Sequence, residues 1–144
     1  MRIHDILRRK GDAVVTITSA ATVTELVRLL TEHQIGAVVV SDADGEATGV
    51  VSERDVIRHL HDAGPAASTA TVRDLMTAPP ITCSPEDEVE TLARTMTERR
   101  IRHLPVLVDG RLAGMVSIGD VVKQRLDQLQ AERDQLEDYV YQGG

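Results

Sequence analysis

Phenylalanine and tryptophan are absent from this 144-residue chain, and its two tyrosines, Tyr139 and Tyr141, lie at the C-terminal end. A core must therefore be assembled from Val, Ile, Leu, Met and Ala, and no aromatic platform exists on which single-stranded nucleic acid could stack. The charge also has the wrong sign for that partner. Sixteen Lys and Arg against 23 Asp and Glu leave a formal net charge of −7, whereas nucleic-acid binding needs a basic field that displaces counterions. The single cysteine, Cys83, has no second thiol to pair with and no neighbouring Cys to suggest zinc. No apolar run approaches the ~18 residues that cross a bilayer, and Met1 to Lys10 lacks the apolar stretch of a signal peptide. The expectation is cytoplasmic residence with no membrane partner. Phosphate-binding P-loop and dinucleotide glycine fingerprints are missing. His59 and His61, two apart on a helix, diverge instead of forming a metal pair, and Cys83 with His103 lacks a third, orienting group. We expect no metal site, no catalytic group and no catalytic cofactor: the chain does not read as an enzyme.

What the chain does contain is a repetition. IGAVVVSDADGEATGVVSERDVI, from Ile35 to Ile57, returns as IRHLPVLVDGRLAGMVSIGDVV, from Ile101 to Val122, at an offset of 66 residues that becomes 65 after the acidic turn. A repeat of this length implies two copies of one supersecondary unit. Neither buries its apolar face alone, so the copies pack on each other. With 42% hydrophobic and 27% charged residues, the composition is that of a soluble globular domain with one real core.

Both copies read in the same order. A short amphipathic turn (Ile3 to Leu7; Val72 to Met76) precedes an extended stretch (Val14 to Thr18; Ile81 to Cys83). A helix follows, because Val23, Leu26, Val27 and Leu30, and again Val89, Leu92, Ala93 and Met96, fall at i, i+3, i+4 and i+7. Thr22 and the run Ser84 to Asp87 are its cap signals. Next come a strand (Ala37 to Val40; Leu104 to Val108), a turn of Asp and Gly (Asp42 to Gly45; Asp109-Gly110) and a second strand (Gly49 to Val51; Gly114 to Val116). A last helix opens at Ser52 or Ser117. Pro105, with no N–H to give a ladder, belongs at a strand edge or start. The predicted fold class is α/β: two β-α-β-β-α repeats packed with pseudo-two-fold symmetry, plus a C-terminal helix. The repeats span 1–62 and 71–123, with a small-residue linker at 63–70 and a helical extension at 124–144. Val122, Leu126, Leu129, Arg133, Leu136 and Val140 alternate spacings of 4 and 3, a heptad seam interrupted by Arg133. This stripe either packs back on its own domain or mediates self-association.

The pair Gly49-x-x-Ser52-x-x-Asp55 and Gly114-x-x-Ser117-x-x-Asp120 is the remaining candidate for chemistry. Ser-x-x-Asp ahead of an apolar helix is a capping box. It also presents free amides and a hydroxyl suited to phosphate, with a carboxylate one turn in that suits a ribose diol. Gly at the same place in both copies permits the close backbone approach that a ligand cleft requires. Capping and ligand binding are compatible.

The doubled pattern of apolar residues, acidic-glycine turn and G-h-h-S-x-x-D (h, apolar), over residues 1 to about 123, resembles the cystathionine β-synthase (CBS) domain. Two in tandem resemble a Bateman module, here with no enzyme, channel or transporter attached. The resemblance implies regulatory binding of an adenosine-containing small molecule, an adenine nucleotide such as AMP, ADP, ATP or an NAD-type ligand, in clefts between the copies. It implies that the Asp holds ribose and the Ser helps bind phosphate, while the opposite copy wraps the adenine. By position, one cleft would combine Ser52, Arg54 and Asp55 with Ile81, Ile101, Arg102 and His103. The other would combine Ser117, Gly119 and Asp120 with Val15, Ile35, Gly36 and Ala37. The first gathers cations for phosphate, and the second offers only small and apolar groups at the matching positions. Copy one departs from the family pattern in having Val39 where copy two has Pro105. The expected protein is a non-catalytic energy or redox sensor that works as a homodimer. Val23, Leu26, Leu30, Val89, Leu92 and Met96 are candidates for the dimer surface, and a regulated protein is a possible further partner. The rival expectation is a dimerisation or adaptor scaffold with empty clefts.

Overall fold

Local signals decide where the helices begin and end. In the computed structural model, which describes residues 1–143 apart from Asp12, α1 (Ile3–Lys10) is followed by β1 (Thr16–Ile17) and α2 (Val23–His33). The Thr22 hydroxyl accepts from the Glu25 amide at 3.1 Å and caps α2. After α2, Gln34 takes a left-handed conformation (φ 53°), and Arg100 does the same (φ 54°) after α5 (Val89–Arg99). The next amide then reaches back: Ile35 to Leu30 O at 3.1 Å and Ile101 to Met96 O at 3.0 Å, which closes both helices in the same way. The expected cap of α5 differs. Ser84 and Asp87 close a turn on each other, with the Ser84 amide 2.8 Å from Asp87 Oδ2, and the helix starts just beyond, at Val89.

In copy one, β1, β2 (Ala37–Val40) and β3 (Gly49–Ser52) form a sheet in that order, β1 parallel and β3 antiparallel to β2. In copy two, β4 (His103–Val108) pairs antiparallel with β5 (Arg111–Ser117), and the segment equivalent to β1 contributes only the bridge from Cys83 to Val106. One residue accounts for the difference. Val39 donates its amide to Val15 O at 3.3 Å, whereas Pro105, at the same place in copy two, has no N–H to give. The missing donor faces the Cys83 side, where Pro105 O accepts from the Cys83 amide at 2.9 Å, so Pro105 still pairs with Met115 of β5, and the ladder shifts register only beyond Val106, where Ala113 bulges. The hairpin between β4 and β5 turns on Asp109 (φ 52°) and Gly110 (φ 76°), the positive angles that Asp-Gly supplies best.

The helices α3 (Glu53–Ala63), α4 (Val72–Leu75) and α6 (Ile118–Gly143) complete the chain, with a 3₁₀ helix over Gly64–Thr69 in the expected linker. The final helix of copy two and the extension are one continuous helix; Gly144 lies outside the described residues.

The short helices are exchanged between the copies. Ile3 and Ile6 of α1 are buried with Val89, Leu92, Leu104, Val106 and Val116 of copy two. Val72 and Leu75 of α4 are buried with Val23, Leu26, Val38 and Val51 of copy one. Hydrogen bonds fix the exchange symmetrically. The Ile3 amide donates to Asp87 O and that of Val89 to Met1 O; the Val72 amide donates to Ala21 O and that of Val23 to Ala70 O, all at 2.9–3.1 Å. Each fully buried aliphatic side chain contributes about 1.5–3 kcal/mol, so neither copy keeps its core without the other's helix. The six residues expected at a dimer surface, Val23, Leu26, Leu30, Val89, Leu92 and Met96, all lie in these two cores. The large apolar side chains left exposed are others: Val27, Ile57, Leu60, Val122, Leu126 and Leu129 among them.

Candidate functional site

Where β3 meets α3, the chain turns on a capping box. The Ser52 amide (2.8 Å) and hydroxyl (3.0 Å) both donate to Asp55 Oδ2, and the Asp55 amide donates to Ser52 Oγ at 3.4 Å. The other carboxylate oxygen, Oδ1, meets only the exposed guanidinium of Arg58, at 3.7 Å. At the start of α6 the Ser117 amide (2.9 Å) and hydroxyl (3.0 Å) make the same pair of bonds to Asp120 Oδ2. Both motifs are therefore capping boxes built on one carboxylate oxygen, Oδ2, and in each the other oxygen takes no part in the cap.

The first motif opens on a cleft of about 340 Å³ between the copies. All seven residues assigned to it from the sequence line its wall: Ser52, Arg54, Asp55, Ile81, Ile101, Arg102 and His103. Gly36 and Ala37, assigned to the other cleft, line it too. Three further cations join: Arg58, Arg99 and Arg100. Position on the repeat did not reveal them. Arg58 lies one helical turn beyond Asp55, and Arg99 and Arg100 sit at the end of α5, which the sequence reading treated only as core. Their run with Arg102 was the available signal. Five arginines thus surround a cleft whose lining carries two carboxylates, Glu53 and Asp55, in a chain whose net charge is −7. Among the described residues, Arg54, Arg99, Arg100 and Arg102 have no carboxylate partner.

The second cleft, about 310 Å³, is lined by Val15, Ile35, Gly36, Ala37 and Ser117 as expected. Gly119 and Asp120 do not line it. At the positions matching Arg102 and His103 it has Gly36 and Ala37, as read from the sequence, but Lys10 adds a cation that this reading did not place there. Lys10, at the end of the exchanged α1, places its ammonium 2.7 Å from Asp120 Oδ2 and 2.7 Å from Met115 O. Lys10 is 110 residues from Asp120 in the chain, and only the helix exchange brings them together. Burial by itself would raise the Asp120 pKa; the Lys10 ammonium and the Ser117 amide and hydroxyl outweigh it and hold the carboxyl below its ordinary value. His103 lines both clefts. Burial, helped by the nearby Lys10 charge, pushes its imidazole below the ordinary value, with Glu53 and Asp120 pulling the other way. Cys83 is buried away from both clefts' chemistry. Its thiol, pushed up to about 12 by burial and the Asp87 charge, donates to Pro105 O at 3.6 Å.

The two motif glycines serve the fold and not a ligand, a second correction. A Cβ on Gly49 would lie 2.7 Å from Thr77 O and 3.1 Å from Met76 Sδ, and one on Gly114 would lie 2.7 Å from Leu7 Cδ2. Leu7 and Met76 are equivalent residues of the exchanged helices. Each glycine makes room for the segment arriving from the other copy.

Two sheets of few strands, exchanged helices and a doubled Ser-x-x-Asp turn define a tandem-repeat module with paired inter-repeat clefts. The CBS domain family model matches residues 3–62 and 72–127, and the chain belongs to that family, with two CBS repeats in tandem. It is 37% identical over 150 residues to the CBS domain-containing protein CBSX3, mitochondrial, of Arabidopsis thaliana, covering 99% of this chain and 72% of that protein. The crystal structure of the CBS-domain containing protein ATU1752 from Agrobacterium tumefaciens superposes with a TM-score of 0.84 at 42% identity, over 87% of this chain and 99% of that one. The CBS domain pair of protein MJ0100, solved with 5′-methylthioadenosine and S-adenosyl-L-methionine, shares the fold at a TM-score of 0.78 and 23% identity, over 89% of this chain and 98% of that one. No helix among the described residues is long and apolar enough to cross a membrane.

Proposed function

We propose that this chain is a non-catalytic sensor that binds an adenine nucleotide of the AMP, ADP, ATP or NAD class in the Ser52–Asp55 cleft, and that it works as a homodimer. One observation carries the reading: five arginines line a cleft that also holds a carboxylate oxygen free to accept from a ribose diol. Planar guanidinium forks pair bidentately with phosphate oxygens. The CBS domain pair of MJ0100 takes two adenosine compounds that carry no phosphate. The arginines here favour an anionic ligand and disfavour the cationic sulfonium of S-adenosylmethionine, by like-charge repulsion. The cleft is walled by both copies, so a bound nucleotide would touch both. It would shift their relative arrangement only by its differential affinity for the two states. Cytoplasmic residence belongs to the same reading and is checked by fractionation.

Thermal shift with AMP, ADP, ATP, NAD⁺, methylthioadenosine and S-adenosylmethionine tests the proposal, because a ligand of the native state raises the melting temperature by mass action. The expected order places the phosphorylated ligands above the other two. A best response to S-adenosylmethionine overturns the anion preference. No response to any ligand favours the second reading, an adaptor scaffold, whose supporting observation is that Ser52 and Asp55 already satisfy each other as a cap.

A further inference from the structure

The apolar seam of α6 points away from its own domain. Val121 and Gln124 are buried, and the same side of the helix is tied to α1 by Lys10 on Asp120 (2.7 Å) and by Arg9 on Gln124 (3.1 Å) and Asp127 (2.8 Å). Val122, Leu126, Leu129, Leu136 and Val140 lie on the opposite side, each 45–66% exposed. At 1.5 Å per residue the seam runs for roughly 27 Å, an exposed stripe longer than the face the helix uses on its own domain.

We propose that this seam zips antiparallel onto the same seam of a second copy. The occupant and the direction follow from the heptad register. With Leu126, Arg133 and Val140 at a, and Val122, Leu129 and Leu136 at d, antiparallel helices place each a residue against a d residue. Leu126 then meets the partner's Leu136, Val122 meets the partner's Val140, and Arg133 meets the partner's Leu129. No apolar position of the seam is left uncovered. The charges at the flanks select the direction. Antiparallel, Lys123 lies beside the partner's Glu137 on both sides of the two-fold axis, and Gln130 meets its own counterpart near it. The one like-charge meeting is Glu132 with the partner's Glu132. Parallel, Arg133 would face the partner's Arg133 inside the seam, and Glu132 would face the partner's Glu137 twice. The Arg133 guanidinium is already turned along the helix to Glu137, with Nε 3.2 Å from Oε1, which leaves the seam open at that layer. This contact is independent of any ligand in the clefts.

Cysteine crosslinking of the full chain tests the direction. Mixing Leu126→Cys chains with Leu136→Cys chains under mild oxidation is expected to give disulfide-linked pairs, and neither variant alone is. In the antiparallel register two copies of the same position lie roughly 15 Å apart along the axis, well beyond the ~7 Å that a disulfide spans between Cα atoms. Native Cys83 is buried and its thiol is held protonated, so it stays silent. Self-crosslinking of Leu126→Cys alone means a parallel seam and overturns the proposal. Absence of crosslinks in every combination means that the seam meets something other than its own copy, and also overturns it. A second measurement avoids cysteine. Lys123→Glu and Glu137→Lys should each weaken self-association about tenfold, and the double variant should restore it, because only the antiparallel register places these residues across from each other.

Discussion

Replacing Asp55 with alanine separates the two roles of one carboxylate, since each oxygen has its own partners. Oδ2 is occupied by the Ser52 amide and hydroxyl at 2.8 and 3.0 Å, a capping arrangement whose loss costs about 1 kcal/mol. For a chain of this size that is a fall in melting temperature of roughly 3–4 °C. Oδ1 has only the exposed Arg58 at 3.7 Å, so it is the oxygen available to a ribose diol. Losing one hydrogen bond to a charged acceptor is worth about 1.5–3 kcal/mol, which corresponds to roughly a ten- to hundredfold rise in Kd. Calorimetric titration of the folded variant with ADP measures the second quantity, and thermal unfolding without ligand measures the first. Asp55→Ala should therefore lower stability slightly and affinity severely. If stability falls by the expected amount while the nucleotide Kd is unchanged, the carboxylate is a cap and nothing more, and the assignment of Oδ1 to the ligand is wrong.

Arg102→Ala should weaken a nucleotide far more than its nucleoside, because a charge-assisted phosphate contact is lost only where phosphate exists; equal loss for AMP and adenosine by calorimetry refutes the role. Lys10→Met should cost about 1 kcal/mol at neutral pH, between the values for exposed and buried charged hydrogen bonds. Asp120 is held below its ordinary pKa partly by Lys10, so this contribution is full above about pH 4 and disappears as the pH falls through the depressed value. Urea unfolding at pH 7 and near pH 3 should show the difference between wild type and variant shrinking, and an unchanged difference counts against the ion pair. Gly49→Ala should destabilise by about 1–3 kcal/mol, as overpacking does, because the new Cβ meets the Thr77 backbone carbonyl at 2.7 Å. Gly114→Ala should cost less, since Leu7 can change rotamer; thermal melts that rank the two the other way refute this.

Much of the architecture was legible because it is local. The i, i+3, i+4, i+7 pattern of Val23 to Leu30, which recurs from Val89 to Met96, the cap at Thr22 and the Asp109-Gly110 turn each act within a few residues. The seven residues lining the first cleft were placed there by the resemblance to the CBS domain, which the doubled Gly-x-x-Ser-x-x-Asp motif carries. Glycines 49 and 114 were legible as places of close approach, but the approaching groups are Thr77, Met76 and Leu7 of this chain.

The sequence by itself determined which residues are apolar, where α2, α3 and α6 start, and that two units must pack together with clefts between them. Only the tertiary structure decided which copy each short helix covers. The two copies carry nearly the same apolar pattern, so burial drives α1 equally well toward either sheet as far as the pattern can tell. The hydrogen bonds from Ile3, Val23, Val72 and Val89 to the opposite segments make the choice. From that exchange follow the crowding of Gly49 and Gly114 and the Lys10 ammonium on Asp120, a close ion pair where Asp55 has only the more distant Arg58. Arg58, Arg99 and Arg100 join the first cleft because separate helix ends converge in space, and convergence over long chain distances leaves no periodic trace in the chain that makes it.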